Sequence, residues 1–284
     1  MKKNNIYRIS SNKYRPLNFE DVIGQKNITD TLKKAIKKKS LAQVFLFSGP
    51  RGVGKTTCAR ILSREVNKIS YKEKNNNMFN IFEIDAASNN SVEDIRNLIN
   101  EIRFPPQVGK YKIYIMDEIH MLSQAAFNSF LKTLEEPPSH IIFILSTTEK
   151  QKIIPTVLSR CQIYDFKKIS VKDIKLYIKK IAKKEKIYIE NEAAFIIAKA
   201  SDGSLRDALS IFDKIISFNG NKITRKIVND QLGILDYEYY FKFSNFFFEK
   251  KIENILLLFK KIIDNGLEEG NFVLGLGNHF INLF

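Results

Sequence analysis

The chain has 284 residues, 44% of them hydrophobic and 27% charged, a composition that excludes a disordered protein and suits one large or two modest globular domains. No apolar run approaches the roughly 18 residues that a membrane helix needs, and residues 1–16 lack the hydrophobic centre of a signal peptide, so we expect a cytoplasmic protein with no membrane contact. The net charge of +15 favours a polyanionic partner such as DNA, although the Lys- and Asn-rich composition accounts for part of the excess equally well.

The first elements precede residue 40. Pro16 biases Arg15 away from helical backbone, so the segment that begins at Tyr14 is predicted to be extended. Residues 26–38 follow as an amphipathic helix whose lysine-rich face is interpreted as solvated.

A glycine-rich stretch, GPRGVGKT, then matches the phosphate-binding pattern G-x-x-x-x-G-K-[ST]. Backbone N–H groups of such a loop point at phosphate oxygens, an approach that side chains would block. We expect the Lys55 ammonium to bind the outer phosphates and the Thr56 hydroxyl to bind Mg²⁺. The apolar strand at 44–47 and the helical spacing of 57–66 disfavour the alternative of a chance turn, because they place a helix N-terminus at the loop. The predicted loop residues are Gly49, Pro50, Arg51, Gly52, Val53, Gly54, Lys55, Thr56 and Thr57.

A polar, Asn-rich connector at 71–80 is predicted to be a surface loop, and residues 81–85 a second buried strand followed by a helix. The next strand, at 111–118, ends in two carboxylates. In this Walker B arrangement Asp117 would join the magnesium shell, and Glu118 would orient a water in line with the γ-phosphate. A plain helix cap is the weaker alternative, given the upstream phosphate loop.

The run from Asp117 to His120 also imitates the D-E-x-H box of two-domain helicases, but we find no second ATPase-like domain downstream. His120, His140 and His279 have no partner at metal-ligand spacing and are interpreted as non-metal residues. Cys58 and Cys161 are too few for a four-thiolate zinc site and are predicted to be small buried residues.

A helix at 124–135 and a strand at 140–146 come next, and the strand ends in two threonines. Thr148 could sense the γ-phosphate through a hydrogen bond or simply form a turn. A last strand is predicted at 162–166. Because strands and helices alternate up to this point, we expect an α/β fold with a parallel sheet.

Every periodic segment from residue 171 onward is predicted to be helical. The segments at 171–184, 192–200 and 205–217 form a small helical domain, with Ser204 as the N-cap of the third helix and Arg206 in its first turn. Residues 232–284 are helical and unusually aromatic, which we interpret mostly as core, with any exposed part serving as an oligomer contact. The predicted domains are 1–168, 169–232 and 233–284.

These motifs, in this order, resemble the AAA+ clamp-loader ATPases over residues 13–235. The matching stretches are KYRP with GQ, EIDAASN, MDEIHML, FLKTLEEPP, LSRC and GSLRDAL. The resemblance implies an AAA+ five-stranded sheet, a helical lid and a partial helical collar. It also implies that Thr148 is sensor 1, Arg206 is sensor 2 and Arg160 is an arginine finger that acts in a neighbour's site. The adenine pocket would be lined by Tyr14, Arg15, Val22 and Ile23.

By the same resemblance the protein would be the ATP- and Mg²⁺-dependent motor of a sliding-clamp loader in the DNA polymerase III holoenzyme, and would not itself polymerise DNA. Its implied partners are the other subunits of a hetero-oligomeric pentamer, the clamp and primer-template DNA. Contact with the polymerase core stays open. Two departures bear on these expectations. The family's four-cysteine zinc module is replaced by residues 71–80, so no zinc is expected, and the sequence stops inside the collar, which suggests a shortened form.

Two rival functions remain. A non-hydrolysing loader scaffold would have a degraded phosphate loop, whereas this one is intact. A related AAA+ motor such as a branch-migration helicase should carry a winged-helix domain, which the aromatic C-terminal helices do not resemble.

Overall fold

The computed structural model describes residues 10–69, 80–106, 109–235, 237–264 and 269–283. The predicted surface loop at 71–80 lies outside these ranges except for Asn80. The chain forms two compact units. The first comprises the chain up to Ile174 together with Ser201–Ser210, and the second comprises Lys175–Ala200 and the chain from Ile211 onward.

The first unit is built on a parallel sheet of five strands, which confirms the predicted α/β fold. The strands are β1 (Val44–Ser48), β2 (Ile81–Asp85), β3 (Lys112–Asp117), β4 (Ile141–Thr147) and β5 (Gln162–Asp165). They lie in the order β2-β3-β4-β1-β5, with every neighbouring pair parallel. The carboxyl ends of β1, β3 and β4 therefore meet at one edge of the sheet, where ligands bind in open α/β folds.

The prediction that residues 81–85 form a buried strand is wrong in one respect. β2 is an edge strand that pairs only with β3, and all its side chains are half-buried or exposed. An apolar run cannot by itself distinguish an edge strand from a central one.

Helices cover both faces of the sheet. The α-helices of the described residues, in both units, are α1 (Ser10–Lys13), α2 (Lys26–Lys37), α3 (Lys55–Asn67), α4 (Val92–Glu101), α5 (Gln124–Glu135), α6 (Pro155–Leu158), α7 (Val171–Lys184), α8 (Asn191–Ala200), α9 (Leu205–Asn219), α10 (Arg225–Leu232), α11 (Tyr237–Phe248), α12 (Ile252–Asp264) and α13 (Glu269–Leu283).

Side chains of β1 alternate between two cores, as the two-residue period of a strand requires. Phe45 and Phe47 pack with Leu62 of α3 on one face. Leu46 packs with Phe130 of α5 on the other face. Burying each of these side chains contributes about 1.5–3 kcal/mol. The two layers fix where β1 ends, and hence where the phosphate loop begins.

The second unit is mainly helical, but it also contains a parallel pair of two-residue strands, β6 (Tyr188–Ile189) and β7 (Lys222–Ile223). Strands this short leave no periodic signal in the sequence. Within the described part of the chain, no helix is long and apolar enough to cross a membrane.

The interpretation of the aromatic C-terminal stretch mostly as core is only partly correct. Tyr240 and Phe272 are buried together with Ile262. In contrast, the side chains of Phe247 and Phe248 are 58% and 69% exposed. These two rings leave an apolar surface uncovered on α11.

Candidate nucleotide-binding site

The glycine loop between β1 and α3 has the backbone that its sequence predicts. Gly49, Gly52 and Gly54 have φ angles of 141°, 75° and 107°, which residues other than glycine rarely adopt. A Cβ atom at Gly49 would overlap the Phe166 carbonyl oxygen, and one at Gly52 would overlap the Ser204 hydroxyl. Two of the three glycines are therefore required by neighbouring atoms as well as by the backbone.

Lys55 begins α3, and its ammonium is buried at the loop. The residue is 6% exposed. Its Nζ atom donates hydrogen bonds to the carbonyl oxygens of Gly49, at 2.7 Å, and Pro50, at 2.9 Å. A buried ammonium requires acceptors, and the loop supplies them from its own backbone.

The charges around Lys55 show which groups share its site. Burial lowers the pKa of the Lys55 ammonium, the carboxylates of Glu118 and Asp117 raise it, and the Arg206 guanidinium lowers it further. The Glu118, Asp117 and Arg206 side chains therefore lie within electrostatic reach of the Lys55 ammonium.

A hydroxyl and a carboxylate meet beside the loop. Thr56 Oγ1 donates a hydrogen bond of 2.8 Å to Asp117 Oδ2. The pair forms because Thr56 lies in the first turn of α3 and Asp117 is the last residue of β3. Oxygen atoms of these two types are the ligands that Mg²⁺ prefers, so the residues present fit a magnesium–nucleotide complex.

Glu118 directly follows β3 and has left-handed backbone, with φ 50° and ψ 45°. This conformation is uncommon for a residue other than glycine, and such strain concentrates at functional sites. Glu118 Oε2 accepts hydrogen bonds from Thr148 N, at 3.1 Å, and from Thr148 Oγ1, at 2.9 Å. Glu118, which is predicted to orient the water, and Thr148, the predicted sensor, are therefore hydrogen-bonded to each other at the ends of β3 and β4.

Sequence reasoning missed the surroundings of His120. Its Nδ1 atom lies 3.1 Å from Thr147 Oγ1, and its Nε2 atom lies 3.2 Å from Glu149 Oε1. Both partners lie at the carboxyl end of β4, the strand beside β3. Their distance from His120 along the chain does not reveal that they are neighbours in space. The sequence did predict that β3 and β4 are parallel strands. Because residues that follow parallel neighbouring strands meet at one edge of the sheet, His120 of the D-E-x-H box could have been expected near the residues that end β4.

Arg206 is held close to the loop by the start of α9. Ser204 Oγ accepts a hydrogen bond from Asp207 N at 3.2 Å, which confirms the predicted N-cap. The N–H group of Leu205 donates to the Gly52 carbonyl oxygen at 3.1 Å. The first turn of α9 is thus tied to the phosphate loop.

Arg160 follows α6 and lies away from these groups. Its Nη2 atom is 2.6 Å from Glu135 Oε1, and its Nη1 atom donates to the Thr156 carbonyl oxygen at 2.6 Å. The side chain is 34% exposed. The guanidinium is therefore positioned at the surface of the chain.

Most of the predicted site residues line one cavity. Those brought together there are Tyr14, Arg15, Val22, Ile23, Arg51, Gly52, Val53, Gly54, Lys55, Thr56, Thr57, Asp117, Glu118 and Arg206. Pro16, Ile169, Leu205 and Leu209 also line it and were not predicted. Among the described residues, Gly49, Pro50, Thr148 and Arg160 are not part of the lining, although the first two bind Lys55 and Thr148 binds Glu118. The roles assigned to all these residues stay predictions.

Comparison with known proteins gives consistent results. Residues 24–170 match the family model "DNA polymerase III, delta subunit", and residues 173–221 match the model "DNA polymerase III clamp loader subunit, ATPase lid domain". The chain is 40% identical to DNA polymerase III subunit tau of Bacillus subtilis, over 94% of this chain and 49% of that protein. It is 39% identical to DNA polymerase III subunit gamma of Buchnera aphidicola subsp. Baizongia pistaciae, over 94% of this chain and 76% of that protein.

The chain thus spans about half the length of the Bacillus subtilis relative. Among solved structures, the RuvB Holliday junction branch migration motor of Thermotoga maritima superposes with a TM-score of 0.61 at 22% identity, covering 82% of this chain and 79% of that one. At that identity the likeness shows a shared fold. With the two family models and the relatives taken together, the chain belongs to the DNA polymerase III gamma/tau family of AAA+ clamp-loader subunits.

Proposed function

We propose that the protein is the ATP-hydrolysing motor subunit of a sliding-clamp loader that serves DNA polymerase III during replication. One observation carries the proposal. The buried ammonium of Lys55, the acidic pair of Asp117 and Glu118, and the guanidinium of Arg206 converge on one cavity at the carboxyl edge of a parallel sheet.

Different residues of the cavity bind the phosphates, the metal ion and the adenine. Lys55 and the N–H groups of the loop bind the phosphates, while Thr56 and Asp117 hold the metal ion. When bound, Mg²⁺ neutralises the charge that develops on the phosphate oxygens. Tyr14, Arg15, Val22 and Ile23 form the adenine end of the cavity.

Glu118 orients the attacking water, and Thr148 fixes the Glu118 carboxylate through two hydrogen bonds. Arg206 contributes positive charge from the start of α9. A clamp-loader scaffold that does not hydrolyse ATP would be expected to lack part of this set.

Arg160 acts on the nucleotide of a neighbouring subunit. Its place outside the lining of its own cavity and its partial exposure support this role. An arginine finger is worth about 10³–10⁵ in rate, so hydrolysis requires assembly. The proposed partners are the other subunits of a hetero-oligomeric pentamer, the sliding clamp and primer-template DNA, whose phosphates suit the net charge of +15.

The test is the ATPase rate of the full chain alone and with clamp, primed DNA and the other loader subunits. We expect strong stimulation in the assembly. Arg160→Ala should keep ATP binding and lose the stimulation. Arg225→Ala is the matched control, because Arg225 also pairs with a glutamate at the surface, Glu192. Equal stimulation of the Arg160→Ala protein would remove the finger assignment, and a wild-type assembly that hydrolyses no ATP would refute the proposed function.

A further inference from the structure

The imidazole of His120 lies between two turns at the carboxyl edge of the sheet. His120 belongs to the 3₁₀ turn Ile119–Met121, directly after Glu118. Its side chain is 7% exposed. Besides Thr147 and Glu149, it approaches Glu118, whose Oε2 atom lies 3.4 Å from Nδ1.

The partners of the ring determine which nitrogen carries the proton. A hydrogen bond from Lys152 lowers the pKa of Glu149, so this carboxyl group is ionised near neutral pH and can only accept. The His120 Nε2 atom, 3.2 Å from Glu149 Oε1, must therefore be the N–H donor. In the neutral ring this leaves Nδ1 as an acceptor.

The hydroxyl of Thr147 completes a closed circuit. Thr147 Oγ1 accepts a hydrogen bond of 3.0 Å from Glu149 N. When the ring is neutral, the proton of this hydroxyl is directed to His120 Nδ1, 3.1 Å away. The sequence of donations runs from the Glu149 N–H to the Thr147 hydroxyl, from this hydroxyl to the ring, and from the ring to the Glu149 carboxylate.

The residue enclosed by this circuit is Thr148. Because Thr147 and Glu149 flank it in the chain, fixing both of them fixes its N–H and hydroxyl, which donate to Glu118 Oε2. The His120 ring is also in contact with this same carboxylate oxygen. The ring therefore bounds the position of Glu118 on one side while it anchors the turn that binds Glu118 on the other.

We propose that His120 is a positioning residue for ATP hydrolysis, which holds the Glu118 carboxylate and the Thr147–Glu149 turn in one fixed arrangement. The inference rests on the proposed ATPase function and adds to it a residue that does not line the nucleotide cavity. Displacing a catalytic group by about 1 Å can cost about 100-fold in rate, so losing this support should lower kcat more than nucleotide affinity.

The experiment compares His120→Ala, His120→Asn and Thr147→Val in the full chain reconstituted with the other loader subunits, clamp and primed DNA. The readouts are kcat, KM for ATP and the affinity for a non-hydrolysable ATP analogue. The control is His140→Ala, since His140 Nε2 lies 2.9 Å from the Ile102 carbonyl oxygen and the residue stands directly before the first residue of β4, at the end opposite His120.

We expect His120→Ala to lower kcat by about 10- to 100-fold with KM changed by no more than about twofold. His120→Asn should restore part of the rate, because its amide oxygen can accept the Thr147 proton at the position of Nδ1. The losses from His120→Ala and Thr147→Val should combine to less than their product, since both changes remove the hydrogen bond between His120 and Thr147, although Thr147→Val also removes the acceptor of the Glu149 N–H. His140→Ala should behave as the wild type.

Three results would overturn the inference. They are an unchanged kcat in His120→Ala, a parallel loss of analogue affinity and thermal stability, and strictly multiplicative effects in the double variant. If His120→Ala does not fold, His120→Asn and Thr147→Val are each compared with the wild type. An unchanged kcat in both, or a loss of kcat matched by a loss of analogue affinity, would then overturn the inference. Failure of the proposed function would look different, because the wild-type assembly would then show no hydrolysis for any variant to lose.

Discussion

The contact between Gly52 and Ser204 offers a quantitative test of how the phosphate loop is joined to α9. A Cβ atom added at Gly52 would overlap Ser204 Oγ and lie 3.1 Å from Ser204 Cβ. The change Gly52→Ala therefore meets two main obstacles, the φ of 75° and the Ser204 side chain, besides a close approach of 3.2 Å to Arg206 Cβ. Only the second obstacle can be removed from the other side of the contact.

The magnitudes separate the two obstacles. Left-handed backbone costs an alanine about 1–2 kcal/mol. Accommodating an overlapping side chain adds about 1–3 kcal/mol. Replacing the N-cap Ser204 by glycine costs only about a few tenths of a kcal/mol, because glycine is tolerated at this position. In the double variant the backbone cost of alanine, the small cap loss and the close approach to Arg206 Cβ remain, but the overlap with the Ser204 side chain is gone, so the two changes should be coupled by about 1–3 kcal/mol in the direction of rescue.

The assay is urea unfolding of the nucleotide-free protein, followed by far-ultraviolet circular dichroism, for the wild type, both single variants and the double variant. Gly52→Ala should be the least stable, and Ser204→Gly should be close to the wild type. If the losses in free energy of unfolding simply add in the double variant, the loop does not press on Ser204 and the reasoning is refuted. Gly54→Ala is the matched control, because its φ of 107° is also positive but, apart from its chain neighbours, no atom of the described residues lies within 4 Å of its added Cβ, so Ser204→Gly should not rescue it.

Three further predictions follow from the charges and thiols of the first unit. Lys55→Ala should abolish ATP binding measured by calorimetry, and unchanged affinity would remove the phosphate-loop assignment. Burial raises the pKa of the Cys58 thiol to about 12, so thiol reagents should modify it near neutral pH only when the chain unfolds, and rapid labelling of the native protein would contradict this. Hydrogen bonds from Ser91 lower the pKa of the Asp94 carboxyl below its value in the unfolded chain, so its stabilising effect is present above that unfolded value and is lost as the pH falls through the lowered one. Asp94→Asn should therefore be less stable than the wild type near neutral pH and equally stable in acid, as thermal unfolding across pH would show.

Local patterns were sufficient to predict the main elements of the first unit. The helix at 124–135 was predicted with the bounds that α5 has, because its apolar spacing and the prolines that end it are both local signals. The phosphate loop and the strand that ends in Asp117 were recognisable for the same reason. The aromatic residues of α11 were harder to interpret, since whether Phe248 is core or surface depends on which helices pack against it.

The sequence by itself determined the inventory of this site, namely a glycine loop, a lysine, an acidic pair and a strand-end threonine, because each is specified by a few adjacent residues. The tertiary structure decided which of these side chains meet. Strand order and parallel register bring the ends of β3 and β4 side by side, and only then do Glu118 and Thr148 bond and His120 reach Glu149. Such contacts depend on the packing of the whole sheet, and no spacing along the chain encodes them.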